Sequence, residues 1–266
     1  MKHVALNDYL SEKSNWPKRL LGWEPYQIDR SSKHVSEEYN SDRYAPLLAL
    51  SSMDIEDYKV EEFKSLRMEQ DDAIFVSLGE EIFRSDVRTA RLIWYSIIKS
   101  TVHRFSVGSI CELGCGYGYN LDLIGNGSYG GECSPNAVAL GRRLGYDVTA
   151  FNYYKPEDYA FIRPGSTVLT VHSVEQLPSA KQFVDNLRAV SSAVHEVVNI
   201  EPCFFSERTS LLGMIRNRYN ELIDHNHDLL SILRSRSDVE IIHFEPDVFG
   251  LHPLNSSHVI VWRFRP

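Results

Sequence analysis

The chain has 266 residues, enough for one large α/β domain or for one domain with a smaller appendage. Its formal net charge is -8, and it has no run of Lys and Arg that would follow a phosphate backbone, so we expect no nucleic-acid partner. Residues 1–20 lack the apolar core of a signal peptide, and no stretch reaches the roughly 18 apolar residues that a membrane span needs. We therefore expect a soluble, cytoplasmic protein with no membrane partner.

The four cysteines form neither a disulfide pattern nor a zinc pattern. Cys111, Cys115, Cys133 and Cys203 lack the paired C-x-x-C spacing of zinc ligands, and four cysteines do not make a disulfide framework in a chain of this length. We expect reduced thiols in a reducing compartment.

The first 85 residues differ in character from the rest of the chain. They are rich in Tyr, Trp, Ser and charged residues, and a helix is predicted around 55–68. We predict that 1–85 forms a helical region that acts as a lid. The aromatic residues considered for that lid are Trp16, Trp23, Tyr26 and Tyr44, although ordinary packing is the simpler interpretation of any single one.

Residues 86–266 are predicted to form the main domain. Apolar residues fall at helical spacing over 86–101, with Ser85 placed to cap the helix. Ser134 and Pro135 mark another helix start, since Ser caps free amides and Pro suits the first helical position. Short apolar runs between the helical patterns are predicted as strands, namely 109–113, 129–132, 147–152, 167–172 and 196–201. Strands alternating with helices imply a parallel sheet with ligands at the carboxyl ends of its strands.

The end of the chain predicts a different strand arrangement. The runs 239–244 and 258–264 read as strands joined by a loop too short for a crossover helix, so they should pair antiparallel. The predicted fold class is therefore α/β, with a Rossmann-like, mostly parallel seven-stranded sheet that has an antiparallel C-terminal strand, plus an N-terminal helical extension.

The most informative segment is 109–120, with the sequence SICELGCGYGYN. Its predicted strand ends in Glu112, and three glycines follow, namely Gly114, Gly116 and Gly118. Glycine suits a tight turn here because the backbone can lie close to a ligand that a Cβ would obstruct, while amides at the following helix start face that ligand. The spacing departs from the dinucleotide fingerprint G-x-G-x-x-G, since Tyr119 holds the sixth position.

The pattern E-x-G-x-G-x-G resembles the first motif of the class I methyltransferases that use S-adenosyl-L-methionine (SAM) and release S-adenosylhomocysteine. The resemblance covers about 86–266, including the final strand pair, and implies SAM as the cofactor. In that family a carboxylate ending the second strand binds both ribose hydroxyls, a role that falls on Glu132, with Cys133 beside it. Adenine contacts follow the third strand and fall on Asn152 and Tyr153, although many family members carry Asp where this chain has Asn152.

Two residues after the fourth and fifth predicted strands are candidates for catalysis. Methyl transfer is an in-line displacement that mainly needs alignment and exclusion of water, but a hydroxyl acceptor also needs a base. His172 is the first candidate, because the family's cofactor and acceptor meet at this position and His titrates near neutral pH. A structural histidine or a cofactor contact is its alternative. Glu201 is the second candidate, as base or acceptor ligand, and an ion-paired carboxylate is its alternative.

Other polar residues in the second half of the chain have simpler interpretations. Glu175 is predicted to open a helix, where a carboxylate complements the helix dipole. His225 and His227 lie close together in IDHNHD, but on a helix they would point to different faces, so we predict no metal site. Two later histidines are interpreted as ordinary loop polarity, with a place at the border of the acceptor pocket as the alternative, namely His252 and His258.

The sequence therefore predicts an enzyme that transfers a methyl group from SAM to a small-molecule acceptor, most simply a hydroxyl of a sugar, a sugar nucleotide or a related metabolite. The stretch 201–230 also loosely resembles methyltransferases of bacterial polysaccharide and secondary-metabolite pathways. One alternative is a SAM-binding partner protein without catalysis, since fold does not guarantee activity. Another is an NAD-dependent oxidoreductase, against which the glycine spacing and the antiparallel end argue. The oligomeric state does not follow from the sequence, which allows a homodimer.

Overall fold

The computed structural model describes residues 1–12, 16–26, 28, 30–65, 73–125 and 127–265. The N-terminal part combines short helices with a small antiparallel sheet of strand order β1-β3-β2. Its elements in chain order are β1 Lys2–Val4, α1 Leu6–Glu12, α2 Trp16–Leu20, α3 Ser32–Glu37, a π-helix Glu38–Tyr44, α4 Ala45–Ala49, α5 Ile55–Ser65, β2 Ile74–Leu78 and β3 Glu81–Ser85.

The rest of the chain forms a seven-stranded sheet with helices on both faces. Its elements are α6 Val87–Phe105, β4 Ile110–Leu113, α7 Tyr119–Ile124, β5 Ser128–Glu132, α8 Pro135–Arg143, β6 Val148–Ala150, a 3-10 helix Pro156–Phe161, β7 Ser166–Val171, a 3-10 turn Val174–Gln176, α9 Lys181–Ala189, β8 Val194–Glu201, α10 Leu211–Leu222, α11 Leu229–Ser235, β9 Val239–Phe249 and β10 Ser257–Phe264. The strand order is β6-β5-β4-β7-β8-β10-β9. Strands β4 to β8 pair in parallel, whereas β10 is antiparallel to both neighbours.

This sheet confirms the predicted fold class and all seven predicted strands. The largest difference is in β9, which continues to Phe249 instead of ending at 244. The predicted helix start at Ser134 and Pro135 is confirmed, with the Ser134 hydroxyl accepting from the Ala137 N–H. The predicted cap at Ser85 is wrong. Asp86 caps α6 instead, because its carboxylate accepts from the Thr89 N–H at 2.8 Å.

The N-terminal part is not purely helical as predicted, because β1, β2 and β3 were missed. These strands are three to five residues long, and a strand that short has too few positions to show an alternating pattern. The small sheet also joins the main one through Ser77 and Gly250, whose backbones exchange two hydrogen bonds. The element boundary falls at 85/86 as predicted, and the division into two domains stays a prediction.

The large sheet is buried on both faces, which fixes the positions of its strand ends. One face packs on α9 and α11 through residues such as Phe183 and Leu233, and the other packs on α6 through Ile98. Trp262 and Asn199 form a buried polar pair inside the sheet, in which Trp262 Nε1–H donates to Asn199 Oδ1 at 2.7 Å. Within the described ranges, no helix is long and apolar enough to cross a membrane.

Candidate active site

A cavity of about 760 Å³ lies at the carboxyl ends of the parallel strands. Strand order reverses between β4 and β7, and a ligand crevice forms at such a reversal because the flanking loops diverge to opposite faces of the sheet. The predicted site residues that line the cavity are Glu112, Gly114, Gly116, Glu132, Cys133, Asn152, Tyr153 and His172. Two predicted residues, Gly118 and Glu201, do not line it.

The glycine loop after β4 forms one wall of the cavity. Gly114 has a φ of 78°, and a Cβ added there would overlap the Ser173 side chain. Gly116 has a φ of 54°, and its Cβ would lie 2.8 Å from the Tyr44 hydroxyl oxygen. Gly118 is the left-handed cap of α7 and packs against Tyr146, and its role as a cofactor ligand stays a prediction.

Glu132 holds the glycine loop from the end of β5. Its Oε2 accepts from the Gly116 N–H at 2.9 Å, and its Oε1 accepts from the Ser134 N–H at 2.8 Å. The side chain is only 6% exposed, and it lines the cavity. Because a carboxylate has about four acceptor positions, Glu132 keeps capacity for two further donors from a ligand.

Glu112 has an unsatisfied oxygen in the cavity wall. Its Oε1 accepts from Asn120 Nδ2 at 2.6 Å, whereas its buried Oε2 has no hydrogen-bond partner. Burial raises the pKa of this carboxyl to about 8, because water no longer stabilises the charge. A ligand that brings a cation or a hydrogen-bond donor to Oε2 would therefore stabilise the ionised carboxylate.

The residues after β6 form the wall beside the glycine loop. Asn152 Oδ1 accepts from the Tyr154 N–H at 2.9 Å, which orients the Asn152 amide. The Tyr153 hydroxyl donates to the Leu113 carbonyl at 2.8 Å and lies 2.8 Å from Ser173 Oγ. Tyr153 therefore ties this wall to the loops after β4 and β7. Cys133 is solvent-exposed at the cavity edge.

His172 follows β7 and has protein partners on both ring nitrogens. Its Nδ1 lies 3.2 Å from Glu175 Oε2, and its Nε2 lies 2.7 Å from Ser257 Oγ. Trp94 packs edge-on against the imidazole with 5.4 Å between ring centroids. Burial lowers the pKa of His172, but the Glu175 carboxylate outweighs that effect, so the pKa lies above its usual value.

Glu175 lies between two imidazoles, an arrangement that the sequence did not predict. It sits in the turn Val174–Gln176, and its Oε2 is also 3.5 Å from His225 Nδ1. Burial favours the protonated carboxyl, but His225 and His172 outweigh it and keep the pKa of Glu175 below its usual range. His225 reaches Glu175 from a loop after α10, so the helical argument about IDHNHD did not apply. The neighbouring His227 instead bonds the Asn220 carbonyl.

Glu201 lies outside the cavity lining and contacts the turn that follows β7, and its role in catalysis stays a prediction. Its side chain is fully buried, and its oxygens accept from the N–H groups of Ser173, Val174 and Glu175 at 3.0 to 3.2 Å. Burial raises the pKa of Glu201 above its usual value. Because the carboxylate binds three successive amides, it fixes the turn that carries His172.

The cavity lining also includes apolar side chains, and most of the aromatic residues considered for a lid lie elsewhere. Its apolar members are Val35, Tyr39, Tyr44, Trp94, Val171, Leu177, Phe249 and Leu251. Of the four lid candidates, only Tyr44 lines the cavity, and Trp16 packs against Tyr219. His252 lines the cavity, whereas His258 is buried in β10 beside Arg208 and is not a loop residue.

Residues 30–44, here named the strap, close one side of the cavity. Asn40 Oδ1 accepts from Ser134 Oγ at 2.9 Å and from the Asn136 N–H at 3.1 Å, beside Glu132. At its other end, Arg30 donates to Gln176 Oε1 at 3.0 Å, next to Glu175. The strap therefore contacts the loops after both β5 and β7, and no motif in the sequence indicated these contacts.

Comparisons with known proteins give structural matches only. No family model and no curated protein matches the chain. Magnesium protoporphyrin IX methyltransferase from Synechocystis PCC 6803, solved with bound S-adenosylhomocysteine, is 12% identical with a TM-score of 0.50, covering 88% of this chain and 100% of that one. The N-methyltransferase NodS from Bradyrhizobium japonicum WM9 is 10% identical with a TM-score of 0.47, covering 77% and 98%. The first likeness confirms the predicted class I methyltransferase fold.

Proposed function

We propose that the protein transfers a methyl group from SAM to a small polar acceptor, most simply to a hydroxyl group. The observation that carries this proposal is the meeting of Glu112, the glycine loop and Glu132 on one cavity wall, in a chain with a class I methyltransferase fold. The similar structure from Synechocystis binds S-adenosylhomocysteine, the product that SAM leaves after transfer.

The residues of this wall suit SAM. The unpartnered Glu112 Oε2 matches the ammonium group of the methionine part, since a charge-assisted hydrogen bond would satisfy a buried carboxylate oxygen. Glu132 has acceptor positions left for the ribose hydroxyls, and the oriented Asn152 amide lies beyond it, where we place adenine. The wall has carboxylates rather than lysines, which suits a cofactor with a cationic sulfonium.

SAM, when bound, supplies an electrophilic methyl group. The chain's own residues would align the acceptor and exclude water, with Tyr39 and Tyr44 of the strap closing the cavity. Glu175 holds Nδ1 of His172, which leaves Nε2 as the nitrogen that takes a proton from a hydroxyl acceptor. That hydroxyl would replace Ser257 Oγ as the partner of Nε2.

The proposal is tested by calorimetric titration with SAM, S-adenosylhomocysteine and NAD in parallel. We expect micromolar binding of the first two and no heat from NAD. Binding of NAD alone would favour an oxidoreductase and reject the proposal. Binding of none of the three would reject it as well.

A second candidate function is SAM binding without catalysis. One observation favours it, namely that both ring nitrogens of His172 already have protein partners. Turnover separates the two functions. Methyl-labelled SAM incubated with a panel of hydroxylated acceptors should give labelled product if His172 exchanges Ser257 for substrate, and a protein that binds SAM yet labels nothing would support the second function.

The ribose role of Glu132 is tested by Glu132→Ala. We expect SAM binding to weaken by about 1–3 kcal/mol, because the variant leaves ligand hydroxyls and two loop amides without their acceptor. Glu157→Ala is the matched control, since Glu157 is exposed and lies outside the cavity lining. Equal affinities of Glu132→Ala and the wild type, measured by calorimetry, would remove Glu132 from the cofactor site.

A further inference from the structure

The ionisable side chains that line the cavity are mostly acidic. Four glutamates line it, each at most 6% exposed, namely Glu62, Glu112, Glu132 and Glu175. Among the described lining residues, Arg43 and Lys33 are the ones with a permanent positive charge. Arg43 lies 2.6 Å from Glu62 Oε1 in an ion pair, and the Lys33 side chain is 85% exposed at the rim. The described lining therefore offers no unpaired buried cation to a ligand.

One buried oxygen on the lining also points to an acceptor that donates hydrogen bonds. Asn255 Oδ1 has no hydrogen-bond partner. Glu112 Oε2 lacks one as well, but the proposed function assigns it to the ammonium group of SAM, and Glu175 Oε2 faces the imidazoles of His172 and His225. A buried acceptor is costly to leave unsatisfied, and an anionic ligand group would add repulsion instead of a hydrogen bond.

The apolar part of the lining around Trp94 restricts the acceptor further. Trp94 and Phe249 stack with 6.0 Å between their ring centroids, and Trp94 also packs on His172. A flat apolar ligand face beside them would be removed from water close to His172. Such a ligand carries its polar groups away from that face, and His172 and Asn255 are polar members of the same lining.

From this geometry we infer that the acceptor is an uncharged or cationic molecule with a flat apolar face, and that it carries no phosphate or carboxylate. The inference rests on the proposed function and narrows it. A sugar nucleotide, one of the acceptors that the sequence allows, is disfavoured because its diphosphate would meet glutamates in a cavity whose described lining has no unpaired arginine.

The inference is tested with three phenols that share one ring and differ in charge, namely tyramine, 4-methylphenol and 4-hydroxyphenylacetate, together with UDP-glucose. Each is titrated into the protein saturated with S-adenosylhomocysteine, and binding is followed by ligand-observed NMR. We expect tyramine to bind at least as tightly as 4-methylphenol, and 4-hydroxyphenylacetate to bind at least about tenfold more weakly. UDP-glucose should show no specific binding.

Two outcomes overturn the inference. One is binding of 4-hydroxyphenylacetate or UDP-glucose as tight as that of 4-methylphenol. The other is the absence of binding by all three phenols, which would contradict an apolar acceptor wall. Titration of S-adenosylhomocysteine alone tests the proposed function separately, so a protein that binds it and yet prefers the anionic phenol keeps the proposed function and loses this inference.

A substitution that adds a negative charge to the cavity lining tests whether the charge of the lining determines the preference for the uncharged phenol over the anionic one. Asn255→Asp puts another carboxylate on the lining with almost no change in volume, and we expect it to widen the preference for 4-methylphenol over 4-hydroxyphenylacetate by about threefold or more. Glu37→Gln is the control, because Glu37 lies outside the lining and its side chain is 61% exposed. An unchanged ratio in Asn255→Asp would overturn the role of wall charge.

Discussion

His172 depends on two carboxylates that act on it in different ways. Its backbone has a φ of 51°, a left-handed conformation that costs a non-glycine residue about 1–3 kcal/mol. Glu201 offsets this strain by binding the next three amides. Glu175 acts on the side chain, where its charge favours the imidazolium form. Glu201 therefore sets where His172 lies, and both carboxylates favour its protonated form, with Glu175 having the larger effect.

The charge effect predicts the result of Glu175→Gln. Loss of the carboxylate should lower the pKa of His172, because the neighbouring anion that favours its protonated form is gone. The imidazole Cε1–H resonance of His172, followed by NMR against pH, should titrate at lower pH than in the wild type. Glu221→Gln serves as the control, since Glu221 is 44% exposed and pairs with Arg218.

The same pKa shift predicts how stability depends on pH. A histidine whose pKa is raised in the folded state stabilises the fold below its unfolded pKa of about 6.5, and this contribution is lost as pH rises through the folded pKa. Denaturant unfolding should therefore show that Glu175→Gln loses more stability relative to the wild type at pH 6 than at pH 9. A difference that is equal at both pH values, together with an unshifted NMR titration, would contradict the pairing.

At the scale of elements, the cavity depends on a glycine loop and a π-helix that touch. The π-helix Glu38–Tyr44 ends in Tyr44, whose hydroxyl lies above the Cα of Gly116, where any side chain would collide with it. Glu132 holds the other side of the loop through the Gly116 N–H. Gly116 therefore serves both a positive φ and a close approach of two elements.

The variants Gly116→Ala and Gly145→Ala separate the effect of the positive φ from the effect of the contact with Tyr44. Both glycines have a positive φ, 54° and 87°, but a Cβ at Gly145 meets no atom within 4 Å. Each variant should lose about 1–2 kcal/mol of unfolding free energy from the left-handed backbone. Only Gly116→Ala should weaken binding of S-adenosylhomocysteine, by about tenfold or more, because the loop must move away from Tyr44.

Calorimetry and denaturant unfolding on both variants check this prediction, with Tyr44→Phe added to Gly116→Ala. Removing the Tyr44 hydroxyl relieves the 2.8 Å contact and should restore part of the lost affinity. Equal affinities of Gly116→Ala and Gly145→Ala would show that the contact with Tyr44 does not matter for the cofactor site.

At the scale of the whole molecule, the sequence predicts what depends on local pattern and misses what depends on distant contacts. The strands of the large sheet are buried runs next to clear helix starts, so the alternation of strands and helices can be predicted from the sequence. The glycine loop is a local motif and can be predicted in the same way. His225 and Glu175 are 50 positions apart in the sequence, so no local sequence pattern predicts that they pair. Likewise, the sequence places Glu201 at a strand end, but its burial beneath three amides is a property of the folded turn.

The strap is the largest feature that depends on contacts between residues distant in the sequence. It binds the loop after β5 through Asn40 and the turn after β7 through Arg30, so it contacts both the proposed cofactor wall and the turn that carries Glu175. Arg30 also donates to the Ile223 carbonyl, which leads into the loop of His225. A ligand that orders the wall formed by the glycine loop and Glu132 should therefore also order residues that are distant in the sequence.

This coupling predicts that S-adenosylhomocysteine slows amide deuterium exchange in the glycine loop and in the strap together. Asn40→Ala removes the acceptor of two hydrogen bonds to Ser134 and Asn136, so the strap should keep fast exchange in the presence of ligand while the glycine loop is still protected. Asn7→Ala, an exposed substitution in α1, should behave as the wild type. Strap protection that survives in Asn40→Ala would contradict a coupling through the Asn40 side chain and would leave the backbone of Asn40 and the contact between Tyr44 and Gly116 as the links.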